Sequence, residues 1–201
     1  MSRVIVDISM SLDGYVTGPN AGLGNGLGDG GMPLHEWVHH GAAEDRAILD
    51  AAFERTGALV QGRNLFDVID APGGWSDETG DVTGPSGEAN PPVFVVTRSA
   101  PAQTRLGDRF RFVTDGVANA VEQALEVADG KDVVVMGGGQ ICHEVLAAGL
   151  ADVLLVHVAN VVLGAGTRLF PAEPSESVHL ELTESISTPA AQHLTYRVVK
   201  K

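Results

Sequence analysis

Residues 133–144 read VVVMGGGQICHE. An apolar, β-branched run meets three consecutive glycines and then helical spacing, so the segment predicts a buried strand, a tight turn and a helix. Ile141, Val145, Leu146 and Leu150 stripe one face of that helix. Glycine gives up more conformational entropy on folding than any other residue, so Gly137, Gly138 and Gly139 together imply backbone that must be free of side chains. A helix start offers unpaired N–H groups and the positive end of the dipole, which suits a phosphate. The dipole contributes only about 0.3–1 kcal/mol, so direct N–H bonds would have to supply the rest. Tight strand-to-helix packing accounts for the glycines equally well.

Outward from this turn, the apolar runs Val4–Met10, Ala58–Gln61, Val93–Thr97 and Asp152–Val158 predict further strands, with a shorter candidate at Arg111–Val113. Val117–Ala128 carries apolar residues at helical spacing, with Thr114 or Asp115 placed to cap it. Ala42–Phe53 is an alanine-rich helix candidate. Val178–Glu184 and His193–Val199 close the chain as two strands, with Pro189 between them. Strands alternating with helices predict an α/β fold with a mostly parallel sheet and an antiparallel pair at the C-terminus. Gly14–Gly31 and Ala71–Pro92 are long glycine- and proline-rich loops, a length that is uncommon in compact domains and often functional or disordered. Neither divides the chain, so residues 1–201 are expected to form a single domain.

The 201 residues carry a net charge of −13 with neutral histidines. This disfavours nucleic acid and anionic membranes as partners, because both need a cationic face. Cys142 is the only cysteine, which suits a reducing compartment. No signal-peptide pattern opens the chain and no apolar run approaches a membrane span, so a cytoplasmic location is expected.

Two further strand ends carry anion-binding chemistry. Ala58–Gln61 runs into Gly62, Arg63 and Asn64, and Val93–Val96 runs into Thr97, Arg98 and Ser99. Ligands of open α/β sheets sit outside the carboxyl ends of the strands. Three such ends in an acidic chain predict one phosphate-binding cradle, although each arginine alone reads more readily as a surface charge. The dinucleotide fingerprint of the Rossmann fold fails, because Cys142 stands where its last glycine belongs. A Walker loop fails as well, for want of a Gly-Lys-Ser/Thr.

The order SLDGYVTGPN, GRNLFD, TRS and MGGGQICHEVLAAGLADVLLVHVANVVLGAGTRLF resembles the dihydrofolate reductase-like family, which includes the C-terminal reductase domain of bifunctional riboflavin-biosynthesis enzymes. The resemblance spans roughly residues 3–199 and implies a three-layer sandwich, NADPH as cofactor and a small heterocyclic substrate. Its closest activities are reduction of 5-amino-6-(5-phosphoribosylamino)uracil and of pterins. It places Gly62, Arg63 and Asn64 beside the pyrophosphate and the adenosine phosphate, and Thr97, Arg98 and Ser99 around the 2′-phosphate. Gly137, Gly138, Gly139, Gln140 and Ile141 match the turn that wraps the pyrophosphate, while Val16, Thr17 and Gly18 match the loop by the nicotinamide. Asp13 is shared with the riboflavin-type reductases, though Asp-Gly is also a plain turn signal. Glu44 and Asp45 lie in the helix whose acidic residue holds the pterin in dihydrofolate reductases, making Asp45 a substrate-binding candidate. Asn160 stands where relatives commonly carry proline. The resemblance also suggests a homodimer paired through the sheet or its flanking strands.

Trp37 either packs in the core or stacks on a flat substrate. His35-Glu36-Trp37-Val38-His39 matches the HExxH zinc-protease string. Pro33 and Gly41 leave it barely two turns and nothing selects a third ligand, so no metal is expected and a zinc hydrolase is a remote alternative. His40, His143, His157, His179 and His193 read as packing or surface residues. A nearer alternative is a module that binds NADPH without turnover.

Overall fold

The computed structural model describes residues 2–74, 91–170 and 177–200. Among the described residues, ten strands form: β1 (Val4–Ser11), β2 (Tyr15–Thr17), β3 (Thr56–Gly62), β4 (Val93–Val96), β5 (Phe110–Val113), β6 (Asp132–Val135), β7 (Val153–Ala159), β8 (Thr167–Arg168), β9 (His179–Ser187) and β10 (Ala191–Val199). Five α-helices accompany them in the described residues: α1 (Glu36–His40), α2 (Ala43–Arg55), α3 (Arg63–Asp70), α4 (Val117–Val127) and α5 (Gly139–Ala147). Short 3-10 helices lie at Met32–His35 and Gly107–Arg109. The fold is α/β. Eight strands build one sheet in the order β5-β4-β3-β6-β1-β7-β10-β9, parallel from β5 to β7 and antiparallel from β7 to β9. β2 and β8 form a second, small antiparallel sheet.

The parallel strands are apolar on both faces because helices cover both. Val4, Val6 and Ile8 of β1 join one cluster with Ala120, Val121 and Ala124 of α4 and Ile141, Cys142, Val145 and Leu146 of α5. Ile5 joins the opposite cluster with Leu59, Val134, Leu155 and Phe66 and Ile69 of α3. Each fully buried Val, Ile, Leu or Phe contributes about 1.5–3 kcal/mol.

Several expectations need correcting. Neither Thr114 nor Asp115 caps α4. Gly116 is the N-cap at φ 96°, where glycine carries no Cβ penalty, and the Asp115 carboxylate instead receives the Thr114 hydroxyl and the Asn119 amide. Leu150 lies beyond the end of α5, but its N–H returns to Val145 O at 3.1 Å, so the side chain still reaches the core. The Gly14–Gly31 loop is folded rather than open. Gly18 N–H bonds Leu27 O (2.8 Å), Asp29 N–H bonds Pro19 O (2.7 Å), and Asn20 and Asn25 both donate to the Asp29 carboxylate. Asn160 donates to Pro189 O (2.9 Å), tying the end of β7 to the β9–β10 connection. Most of the second loop, with Trp75, falls outside the described residues. Among the described residues, no helix is long and apolar enough to cross a membrane.

Candidate functional site

The adjacency of β4, β3 and β6 brings three strand ends together. Gly62 is level with Val96, and Val60 with Val135. Gly62 N–H donates to Gly137 O at 2.9 Å, joining the Gly62–Asn64 turn to the glycine turn. Arg63 donates from Nη1 to Ser99 O (2.9 Å) and from Nε to Asp67 Oδ1 (2.7 Å), which joins it to the loop after β4. That loop is braced by Thr97, whose hydroxyl donates to Ser99 O at 2.9 Å. Arg98 and Ser99 are exposed at its tip, and Asn64 is exposed at the start of α3.

The early loop reaches the same place from the other side. β2 is held by β8, with Thr167 N–H on Thr17 Oγ1 (3.4 Å). A Cβ built on Gly139 would lie 2.8 Å from Val16 Cγ2 and 3.2 Å from Arg168 O. One on Gly62 would lie 2.8 Å from Ile141 Cγ1. These two glycines are therefore demanded by close approach. Gly138 is different: its peptide to Gly137 is cis, its φ is −70°, and a Cβ there would meet nothing within 4 Å. Gly62 and Gly138 are the N-caps of α3 and α5, and no side chain caps either helix. Two helix starts without side-chain caps thus lie beside the joined glycine turns, with Arg63 at the first of them, a donor set that suits a phosphate. Gln140 is exposed and donates to Glu144 (2.8 Å), while Ile141 is buried.

The substrate candidates are engaged elsewhere. The Asp13 carboxylate accepts from the Ser11 hydroxyl (2.7 Å), Leu163 N–H (3.0 Å) and Gly164 N–H (2.7 Å). These bonds, the Ser11 hydroxyl foremost, hold its pKa at about 2. Asp45 is fully buried at the third position of α2. Its Oδ2 accepts Ala42 N–H (2.7 Å), and its Oδ1 accepts the Thr188 hydroxyl (2.9 Å) and meets His193 Nε2 (2.8 Å). Trp37 is buried, stacked on His157 at 4.1 Å between ring centroids, with Nε1–H on Ser9 Oγ (2.9 Å).

The HExxH string straddles two elements, since His35 ends a 3-10 turn and Glu36 begins α1. Glu36 pairs with His40 at 3.2 Å, and burial holds the His35 pKa at about 4. Among the described residues, no group of three or more His, Cys, Asp or Glu could hold a metal ion. The Cys142 thiol is buried against Val135 O, and that burial pushes its pKa up to about 12, so the helix start does not activate it.

Three residues were missed by sequence reasoning. His157 and His193, expected as scattered packing or surface residues, meet at 2.6 Å between Nδ1 atoms. A histidine inside the apolar run VLLVHVA was the available signal; its partner required the β7–β10 register. Gln61, fully buried at the end of β3, has no hydrogen-bond partner for either amide atom.

Comparison with known proteins agrees with this fold. The family described as the RibD C-terminal domain matches residues 2–194. YyaP of Bacillus subtilis (strain 168), itself uncharacterised, is 22% identical over 175 residues, covering 84% of this chain and 80% of its own. A Shewanella sp. PV-4 structure provisionally named a riboflavin biosynthesis protein aligns over 98% of this chain and 99% of its own, with a TM-score of 0.70 and 23% identity. The deaminase/5-amino-6-(5-phosphoribosylamino)uracil reductase of Thermotoga maritima aligns over 98% of this chain and 57% of its own (TM-score 0.63, 15% identity). Enterococcus faecalis dihydrofolate reductase, complexed with NADP(H), aligns over 98% and 97% (TM-score 0.56, 17% identity).

Proposed function

Because this chain belongs to the RibD C-terminal domain family, we propose that it is an NADPH-dependent reductase of a small heterocyclic compound, closest in chemistry to 5-amino-6-(5-phosphoribosylamino)uracil or pterin reduction. The observation that carries this reading is that Gly62 bonds Gly137, Arg63 bonds Ser99 and Gly139 abuts Val16, segments that we read as the walls of one recess. NADPH bound there would supply a hydride. The chain's own residues bind and orient: the N–H groups at the starts of α3 and α5 take the pyrophosphate, and Arg63 and Arg98 take the adenosine side. Val16 and Thr17 close the recess next to Gly139. We read residues 1–201 as one such domain, acting in the cytoplasm.

Arg98→Ala tests the cofactor. It is expected to weaken NADPH at least tenfold more than NADH, measured by fluorescence titration, since a charged hydrogen bond contributes about 1.5–3 kcal/mol. Equal losses would remove Arg98 from the 2′-phosphate. Oxidation of NADPH with a panel of pterins, pyrimidines and quinones tests the reaction.

One observation favours a second reading, a module that binds NADPH without turnover. The Asp13 and Asp45 carboxylates are both committed to partners within the chain. Saturable NADPH binding with no oxidation across the panel would select it. We also infer a homodimer that pairs through the edge strand β9, which leaves Leu182 57% exposed; its molecular mass in solution checks this.

A further inference from the structure

On the sheet face under Trp37, four titratable groups, the buried Asp45, His157 and His193 and the half-buried Asp7, stand in a row that the proposed reductase chemistry does not use. Asp7 Oδ1 lies 3.0 Å from His157 Nε2, the two Nδ1 atoms are 2.6 Å apart, and His193 Nε2 lies 2.8 Å from Asp45 Oδ1. Each of these contacts is a hydrogen bond only if it holds one proton. With none, lone pairs face each other; with two, N–H or O–H groups collide. Three bonds therefore hold three protons, whichever atom owns each.

The charge follows from that count. Stripped of all three protons, two carboxylates and two imidazolates would carry four negative charges; with them the row carries one. Arg55 Nη2, 3.0 Å from Asp7 Oδ2, cancels it. The row is neutral as a whole, which is the state that a buried site favours. Other titratable groups also face it: His35, which burial keeps neutral well above its pKa of about 4; Cys142, near Asp7, whose buried thiol stays protonated below about 12; and Asp132, near Arg55 and itself paired with Arg3. Burial lowers the pKa of His193, and its contact with the Asp45 carboxylate acts in the opposite direction.

The row has a mechanical role as well. Asp45 is the one fully buried residue of α2. That helix meets the sheet through a charged group near each end, Asp45 on His193 and Arg55 on Asp7, and these are the two ends of the same row. Trp37 of α1 packs against both rings, tilted over His157 at 4.1 Å and edge-on to His193 at 5.1 Å between ring centroids. We propose that Asp7, His157, His193 and Asp45 form a single protonic latch, which fastens α1 and α2 to the sheet while it holds three protons and loosens them when that number changes.

The latch makes folding take up a proton. In the unfolded chain above about pH 7, both carboxylates are ionised and each imidazole keeps one proton, so the four groups hold two. The folded row holds three. The folded-to-unfolded ratio therefore falls about tenfold per pH unit as pH rises from about 7 to about 8. Asp45→Asn isolates the effect. Its amide can donate to His193 Nε2, His193 then donates from Nδ1 to His157, and His157 donates to Asp7, so every bond survives with two neutral rings and no uptake.

Urea unfolding of both proteins across that range is the test. The wild-type ratio is expected to fall about tenfold per pH unit relative to Asp45→Asn; parallel profiles would overturn the shared proton. Should Asp45→Asn fail to fold, nitrogen-15 histidine spectra of the wild type decide. One proton averaged between the two Nδ1 atoms supports the row, and two independently titrating rings overturn it. Hydrogen exchange along residues 43–55 reads the latch itself. Exchange faster than its intrinsic pH dependence, as pH rises, is expected in the wild type; an unaltered protection factor would leave no latch.

Discussion

At Gln61 a full amide is buried beside the proposed cofactor turn with neither atom bonded. An unsatisfied buried polar group costs about 1–3 kcal/mol. Gln61→Met, of similar length and volume, is expected to stabilise the protein by about that amount in chemical denaturation. Loss of stability would mean that the amide has a partner in solution. Its neighbour Gly62 was legible in sequence because a glycine–arginine pair after a strand is a chemical pattern. The Gln61 amide was not, since a polar residue at the end of a strand is ordinary until its surroundings are known. Asp13 was read as either turn or substrate contact, and its carboxylate bonds Leu163 and Gly164 across 150 residues.

At the scale of elements, the turn before α5 separates two kinds of glycine. Gly139→Ala would press a methyl against Val16 and the Arg168 carbonyl, and overpacking of this kind costs about 1–3 kcal/mol. Gly138→Ala meets no atom within 4 Å and has an ordinary φ, so stability is expected to hold or rise by about 0.4–1 kcal/mol. Its methyl would still occupy the recess, so dinucleotide binding is expected to fall at least tenfold. Thermal melting with cofactor titration on both variants checks the contrast; intact binding in Gly138→Ala would move the ligand elsewhere. The parallel strands of the large sheet were visible in the sequence because each carries its own apolar run. β2 and β8, three and two residues long, were not, because each exists only through its partner in the other half of the chain. The same limit hid the histidine pair, whose rings meet only once His157 and His193 are in register.

Across the whole molecule, Asp13 clips the end of the first strand region to the Leu163–Gly164 loop, and its pKa of about 2 makes that clip sensitive to acid. A depressed carboxylate stabilises the fold fully above its unfolded value of about 3.9, and the contribution disappears as pH falls through about 2. Urea midpoints measured from about pH 4 to about pH 2 should drop faster in the wild type than in Asp13→Asn; equal slopes would assign the acid loss to other carboxylates. The position of β1 has a wider consequence. Val4 pairs with Val133 and Ile5 with Val153, so the opening strand finds both neighbours only after three-quarters of the polypeptide exists. At about 5–20 residues per second, a ribosome takes on the order of ten seconds to deliver them. Through that interval the apolar VIVDISMS remains unpaired on the nascent chain, where a chaperone would find it before the sheet does.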